Sequence, residues 1–257
     1  MLFVLLFLCF TSFTNAAPLP WKMVDMTYVF DENAHRYPLF RKFNMSVTVN
    51  GTTDAGIWIR SEEYVSSTHA GTHMDAPSHF IMNGINIDQI PISQFIAPAA
   101  VIDITEKVSL NPDSGATIDD LINWESITGH SLNGTIILFR SGWGQKYYNT
   151  TAYLGTSDND VNKMIYPGIE PEAAQWLVDN RNIKGIGVDT LSFDKGTTID
   201  FRSHLILLGR GIFGLENVAN MEEIPIHGAM LYVLPMKIAG ASGAPTRVIA
   251  TFPEVIF

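Results

Sequence analysis

The sequence predicts a single-domain α/β protein with a mixed β-sheet or barrel-like core flanked by helices, and three observations lead there. Short β-rich runs alternate with helical stretches along the chain. No internal repeat, low-complexity tract or block of like charge marks a linker. Hydrophobic residues make up 46% of the 257 positions, enough for one large core.

Taken in order, residues 1–16, "MLFVLLFLCFTSFTNA", form an uncharged apolar run closed by small residues, with Thr14 and Ala16 placed before a cleavage point. This pattern is that of a secretory signal peptide, and the run is short for a membrane span. The expected mature domain is therefore 17–257, secreted or lumenal, and free of the membrane once the signal is removed. The only cysteine of the chain, Cys9, lies in the expected signal, so the mature domain is expected to have no disulfide and no thiolate ligand. Export gives meaning to four sequons, at Asn44, Asn50, Asn133 and Asn149, and predicts a glycosylated surface.

Strands are expected in the β-rich runs 23–30, 45–50, 98–104, 134–142, 183–190, 229–236 and 246–252. A helix is expected over 170–181, "EPEAAQWLVDNR", because Pro171 and acidic residues open it and Arg181 closes it. A second helix is expected over 202–210. The run "IGVDTLSFDKG" before it reads as a buried strand entering a loop, where α/β proteins present chemistry at a strand's carboxyl end. A formal charge of −10 with no basic stripe argues against nucleic acid as a partner. The expected partners are a small-molecule amide substrate and further copies of the chain, as a homodimer or higher homo-oligomer.

The stretch "STHAGTHMDAPSHF" places His69, His73, Asp75 and His79 within eleven positions of a chain with seven histidines. A regular helix would throw Asp75 off the face shared by His69 and His73 and then meet Pro77. A straight strand would separate His69 from His79 by roughly 33 Å. A loop curled at Gly71 and Pro77 can turn imidazoles and a carboxylate onto one point. Converging imidazole and carboxylate without cysteine suits Zn²⁺, Mn²⁺ or Fe²⁺. His35, His130 and His227 stand alone in the sequence and read as surface or hydrogen-bonded core residues.

The same residues, "HAGTHMDAPSHF", resemble the H-x-G-T-H-x-D-x-P-x-H signature of the cyclase-like metal hydrolases, which include kynurenine formamidases and isatin hydrolases. The likeness continues through "NGINIDQIPISQFIAPAAVID", Gly142–Trp143, "YPGIEPEAAQWL", "GIGVDTLSFD" and "HLILLGRGIFGLENV", covering nearly the whole mature chain. The resemblance implies a swivelling β/β/α fold. It also implies metal ligands at His69, His73, Asp75, His204 and Glu216, with His79 as proton donor and acceptor. The implied cofactor is one or two divalent cations, Zn²⁺ first and Mn²⁺ as the alternative.

The chemistry expected from these parts is hydrolysis of an amide by metal-activated water, with His79 moving the proton. The expected activity is that of an arylformamidase, converting N-formylkynurenine to kynurenine and formate. The alternatives are the opening of a cyclic amide or lactone, and a secreted metal- or ligand-binding protein without turnover. Tyr37, in "HRYPLF", stands where kynurenine formamidases carry a substrate-contacting tryptophan in a "WPG"-like segment. It is the candidate for stacking on an aromatic substrate.

Overall fold

The computed structural model describes residues 20–158 and 160–254; residues 1–16, where a signal peptide is expected, lie outside the described residues. The strands are β1 (Trp21–Asp25), β2 (Asn44–Thr52), β3 (Trp58–Val65), β4 (His73–Asp75), β5 (Ile96–Asp103), β6 (Gly115–Ala116), β7 (Ile136–Arg140), β8 (Gly168–Ile169), β9 (Gly185–Val188), β10 (Phe213–Glu216), β11 (Met230–Pro235) and β12 (Gly243–Pro253). The helices are α1 (Thr105–Leu110), α2 (Ile118–Thr128), α3 (Thr150–Leu154), α4 (Pro171–Asn180) and α5 (Arg202–Gly209).

The main sheet runs β1-β12-β11-β5-β7-β9-β10-β4, and β4 pairs back onto β12. Seven strands thereby close into a barrel-like sheet, and β1 lies outside the ring as an extra strand on β12. The pairs β5–β7, β7–β9 and β9–β10 are parallel, whereas β11 and β12 pair antiparallel, so the sheet is mixed. Parallel neighbours need long crossovers. The segments containing α2, α4 and α5 supply them.

Period-2 alternation in the central strands sorts the core into two layers. Ile136 and Leu138 of β7 join Val101, Leu215 and Val233 in one cluster, while Ile137 and Phe139 face Trp124, Leu177 and Leu207 on the helical side. Both faces of β7 are therefore covered, which accounts for its continuous apolar run.

The expected helices at 170–181 and 202–210 form as α4 and α5, with Pro171 at the first turn of α4. Helix α2 was absent from the sequence expectation, although its cues are local. Asp120 accepts the backbone N–H of Thr117 at 2.7 Å and its hydroxyl at 2.8 Å, and Gly129 ends the helix with φ +68°.

The hairpin β2–β3 stands apart. Among the described residues its two strands pair only with each other, and every residue of both except Gly51 is exposed. No described helix is long and apolar enough to cross a membrane.

Candidate active site

The site begins where the histidine-rich stretch leaves the Tyr37 segment. Ala70 bridges Arg36, the Gly71 N–H donates to the His35 carbonyl at 2.8 Å, and Gly71 turns the chain with φ +61°. A side chain at position 71 would strain that backbone and also crowd Phe30. Beyond the bend, the expected curled loop contains a three-residue strand, β4, held between β10 and β12. Register then dictates the chemistry. His73 lies directly opposite Glu216 and shares its face with Asp75, while Met74 points into the barrel, fully buried.

Pro77 opens a short 3-10 turn that carries His79 back over the cluster. His79 stacks on His69 with ring centroids 3.8 Å apart, and its Nε2 lies 3.9 Å from Asp75 Oδ2. His69 Nδ1 is 2.7 Å from Asp75 Oδ1 and its Nε2 is 3.0 Å from the Ser242 hydroxyl. Gly243, opposite Asp75 on β12, leaves the space that the His69 ring fills; a Cβ there would collide with it.

Two more side chains arrive from later in the chain. Helix α5 brings His204, whose Nε2 lies 3.4 Å from Asp75 Oδ2 and 3.3 Å from Glu216 Oε1. Strand β10 ends at Glu216, whose Oε2 is 3.4 Å from His73 Nε2. The structure thus brings His69, His73, Asp75, His79, His204 and Glu216 together. His35 is set apart, buried and bonded to the Tyr147 carbonyl at 2.6 Å, while His130 and His227 face solvent.

Electrostatics follow from burying so many ionisable groups side by side. Burial pushes the Asp75 carboxyl up, but the neighbouring His69, His79 and His204 outweigh it and hold it well below the usual carboxylate range. His73 is pulled down by burial and raised more strongly by Asp75 and Glu216, ending at about 9. His204 is likewise carried well above its ordinary value, because Asp194, Asp75 and Glu216 outweigh burial. His79 lacks so close an acid. Burial and the three other imidazoles bring it down to about 4 despite Asp75. Glu216 is raised by burial and by Asp75.

These residues fit a divalent cation on three counts. Asp75 Oδ2 is buried without a hydrogen bond, since its neighbours lie at ion-pair rather than bonding geometry, and such an oxygen is costly unless something pairs it. His73 commits Nδ1 as a donor to the Gly71 carbonyl at 2.9 Å, leaving Nε2 for Asp75 and Glu216. Two triads, His69–Asp75–His79 and His73–Asp75–Glu216, each hold their donor atoms within 4.8 Å of one another and share Asp75. His204 is in neither triad but lies against both Asp75 and Glu216.

Over the cluster opens a cavity of about 220 Å³. Its wall includes Tyr37, Leu39, Phe40, Phe80, Leu191 and Phe201, its floor is the imidazole–carboxylate cluster, and no Lys or Arg lines it among the described residues. Tyr37 is half-buried, with its ring 6.0 Å from Phe40 and 6.3 Å from Phe201. Phe201 holds φ +48°, ψ +42°, a left-handed conformation unusual for an aromatic residue, at the entry to α5. The sequence pointed to Tyr37 but missed Phe40, Phe80 and Phe201, which carry no periodic signal and meet only through the fold.

Fold and site together define a class, the α/β-barrel hydrolases with a His/Asp/Glu centre suited to a metal. The chain belongs to the family described as "Putative cyclase", which matches residues 24–195. It is 30% identical over 199 residues to the isatin hydrolase of Roseibium aggregatum, covering 74% of each chain. To the kynurenine formamidase of Salinibacter ruber it is 28% identical over 184 residues, covering 71% of this chain and 76% of the other. The solved isatin hydrolase A from Ralstonia solanacearum superposes with a TM-score of 0.82 at 30% identity, covering 90% of this chain and 92% of that one.

Proposed function

We propose that the protein hydrolyses the amide bond of a compact, uncharged aryl substrate, such as a formanilide or a cyclic aryl lactam of the isatin kind. One observation carries this reading: an aromatic-walled cavity ends on the His/carboxylate cluster and offers no cationic side chain among the described residues. An aryl ring suits that wall, whereas the amino-acid tail of N-formylkynurenine would leave its carboxylate without a partner and at a desolvation cost.

His69, His73, Asp75, His204 and Glu216 would hold the cation, with Zn²⁺ or Mn²⁺ matching the nitrogen and oxygen donors. When bound, it supplies Lewis acidity toward a carbonyl oxygen and toward water. The remaining work belongs to the chain. The apolar wall orients the aryl ring and excludes bulk water from the reacting carbonyl. His79, partly open to the cavity and lowered to about 4 by burial, is neutral at pH 7. Its free nitrogen can take the proton of the attacking water and return it to the departing nitrogen. An aniline nitrogen is a weak base, so it departs with less complete protonation than an alkyl amine requires.

The reading is tested by kcat/KM for isatin, formanilide and N-formylkynurenine with metal-loaded protein. Isatin or formanilide should exceed N-formylkynurenine by tenfold or more. The opposite order would restore the formylkynurenine assignment, and no turnover of any of them would favour a binding protein. The proposal includes a homodimer formed through the β2–β3 hairpin. Strand β2 carries no charged residue over its nine positions, and its outer edge has no strand partner among the described residues. Such an edge is self-complementary to a second copy in antiparallel register.

A further inference from the structure

We infer that Asp194 is the positioning residue for His204, fixing which ring nitrogen faces Asp75 and Glu216. The inference rests on the reading of His204 as a metal ligand. Asp194 lies in the loop after β9 and is 2% exposed. Three N–H groups converge on its two carboxylate oxygens. Oδ1 accepts from the Ser203 backbone at 2.9 Å, and Oδ2 accepts from the His204 backbone at 3.0 Å and from His204 Nδ1 at 2.5 Å. With Nδ1 occupied as a donor, Nε2 is the nitrogen that faces Asp75 and Glu216, and it is the one that would offer its lone pair to a cation held there.

The neighbouring residue holds the ring plane. Phe193 stacks on His204 with centroids 3.5 Å apart and 19° between planes, so rotation about the ring axis meets a wall. Phe193 itself is seated by Gly214 of β10, where a Cβ would strike its ring. Among the described residues no other imidazole of the cluster has a carboxylate of its own outside the cluster: His73 uses a backbone carbonyl and His69 uses Asp75.

Asp194 also serves the start of α5, whose N-cap residue Phe201 makes no side-chain capping bond. Removing the carboxylate therefore has two readings, a frayed helix or a misdirected imidazole. Asp194→Asn combined with His204→Ala separates them. The amide keeps one acceptor and turns the other into an NH2 group. With two donors converging on the Oδ2 position, the amide oxygen stays there and the NH2 group falls against the Ser203 N–H, so the ring loses the charged acceptor that orients it and α5 loses one backbone bond.

The experiment measures Zn²⁺ affinity by chelator competition for the wild type, Asp194→Asn, His204→Ala and the double variant, beside thermal unfolding of each metal-free protein. Asp194→Asn should weaken Zn²⁺ binding by about 10- to 100-fold. In the His204→Ala background it should weaken binding no further, because the ring it orients is gone. An undiminished loss in that background would make Asp194 a merely structural residue and overturn the inference, as would wild-type affinity in Asp194→Asn. Wild-type affinity in His204→Ala would instead remove the ligand reading, and the inference with it. If Asp194→Asn fails to fold, ¹⁵N resonances of the Zn²⁺-loaded wild type decide: a proton on His204 Nδ1 is expected, and one on Nε2 overturns the assignment.

Discussion

At the scale of single residues, His79 and the carboxylate-bonded imidazoles separate by what their neighbours do to them. His73 has two acids against it and His79 has only a distant one, so burial wins at His79 and loses at His73. His73→Ala or Asp75→Ala should therefore abolish metal retention in a purified sample. His79→Ala should keep the metal and lower kcat by about 10² to 10⁴. Elemental analysis beside turnover checks both, and metal loss in His79→Ala as complete as in His73→Ala would make His79 a ligand of the His69–Asp75–His79 triad.

The raised His73 value has a pH consequence. Its proton stabilises the metal-free fold fully below the unfolded value near 6.5 and ceases to do so as pH rises through about 9. A cation must displace that proton. Zn²⁺ binding at pH 7 should release at least one proton, and apparent affinity should rise with pH through the neutral range. Calorimetry in buffers of different ionisation enthalpy measures the release, and identical heats in both would refute it.

At the scale of elements, each local cue worked where it did not compete with packing. The cluster from His69 to His79 is legible because its spacing fits neither helix nor straight strand. Helix α4 is legible from Pro171 and its acidic first turn. Strand β10 is not, because Gly214 within it answers to the Phe193 ring rather than to strand propensity. His204 and Glu216 entered through family resemblance, and Asp194 did not stand out within "IGVDTLSFDKG": its partners lie nine and ten residues on and meet it only when α5 folds back.

The strands themselves carry the stability. Leu138 of β7 is fully buried in the barrel cluster, so Leu138→Ala should cost about 2 to 5 kcal/mol by chemical denaturation. A loss below 1 kcal/mol would mean that the barrel interior collapses around the cavity.

At the scale of the whole molecule, closure of β4 onto β12 joins the beginning of the site to the end of the chain. Nothing in either short segment announces that pairing, which is why the sequence supports a sheet or a barrel without choosing between them. Among the described residues the β2–β3 hairpin is the large element left outside this closure. Sedimentation velocity should show a dimer at micromolar concentration, and Val47→Lys on β2 should shift it toward monomer by placing a charge on the exposed strand. A monomeric wild type under the same conditions would count against the proposed association.

Two of the four sequons, Asn44 and Asn50, fall on β2 itself, at exposed positions. A glycan there and a partner strand there would compete for one piece of surface, so carbohydrate on either sequon would oppose the proposed association. Protein from a glycosylating host should sediment as a lighter assembly than the same chain made without glycans, despite its greater mass per subunit. Enzymatic trimming of the sugar should restore the heavier form.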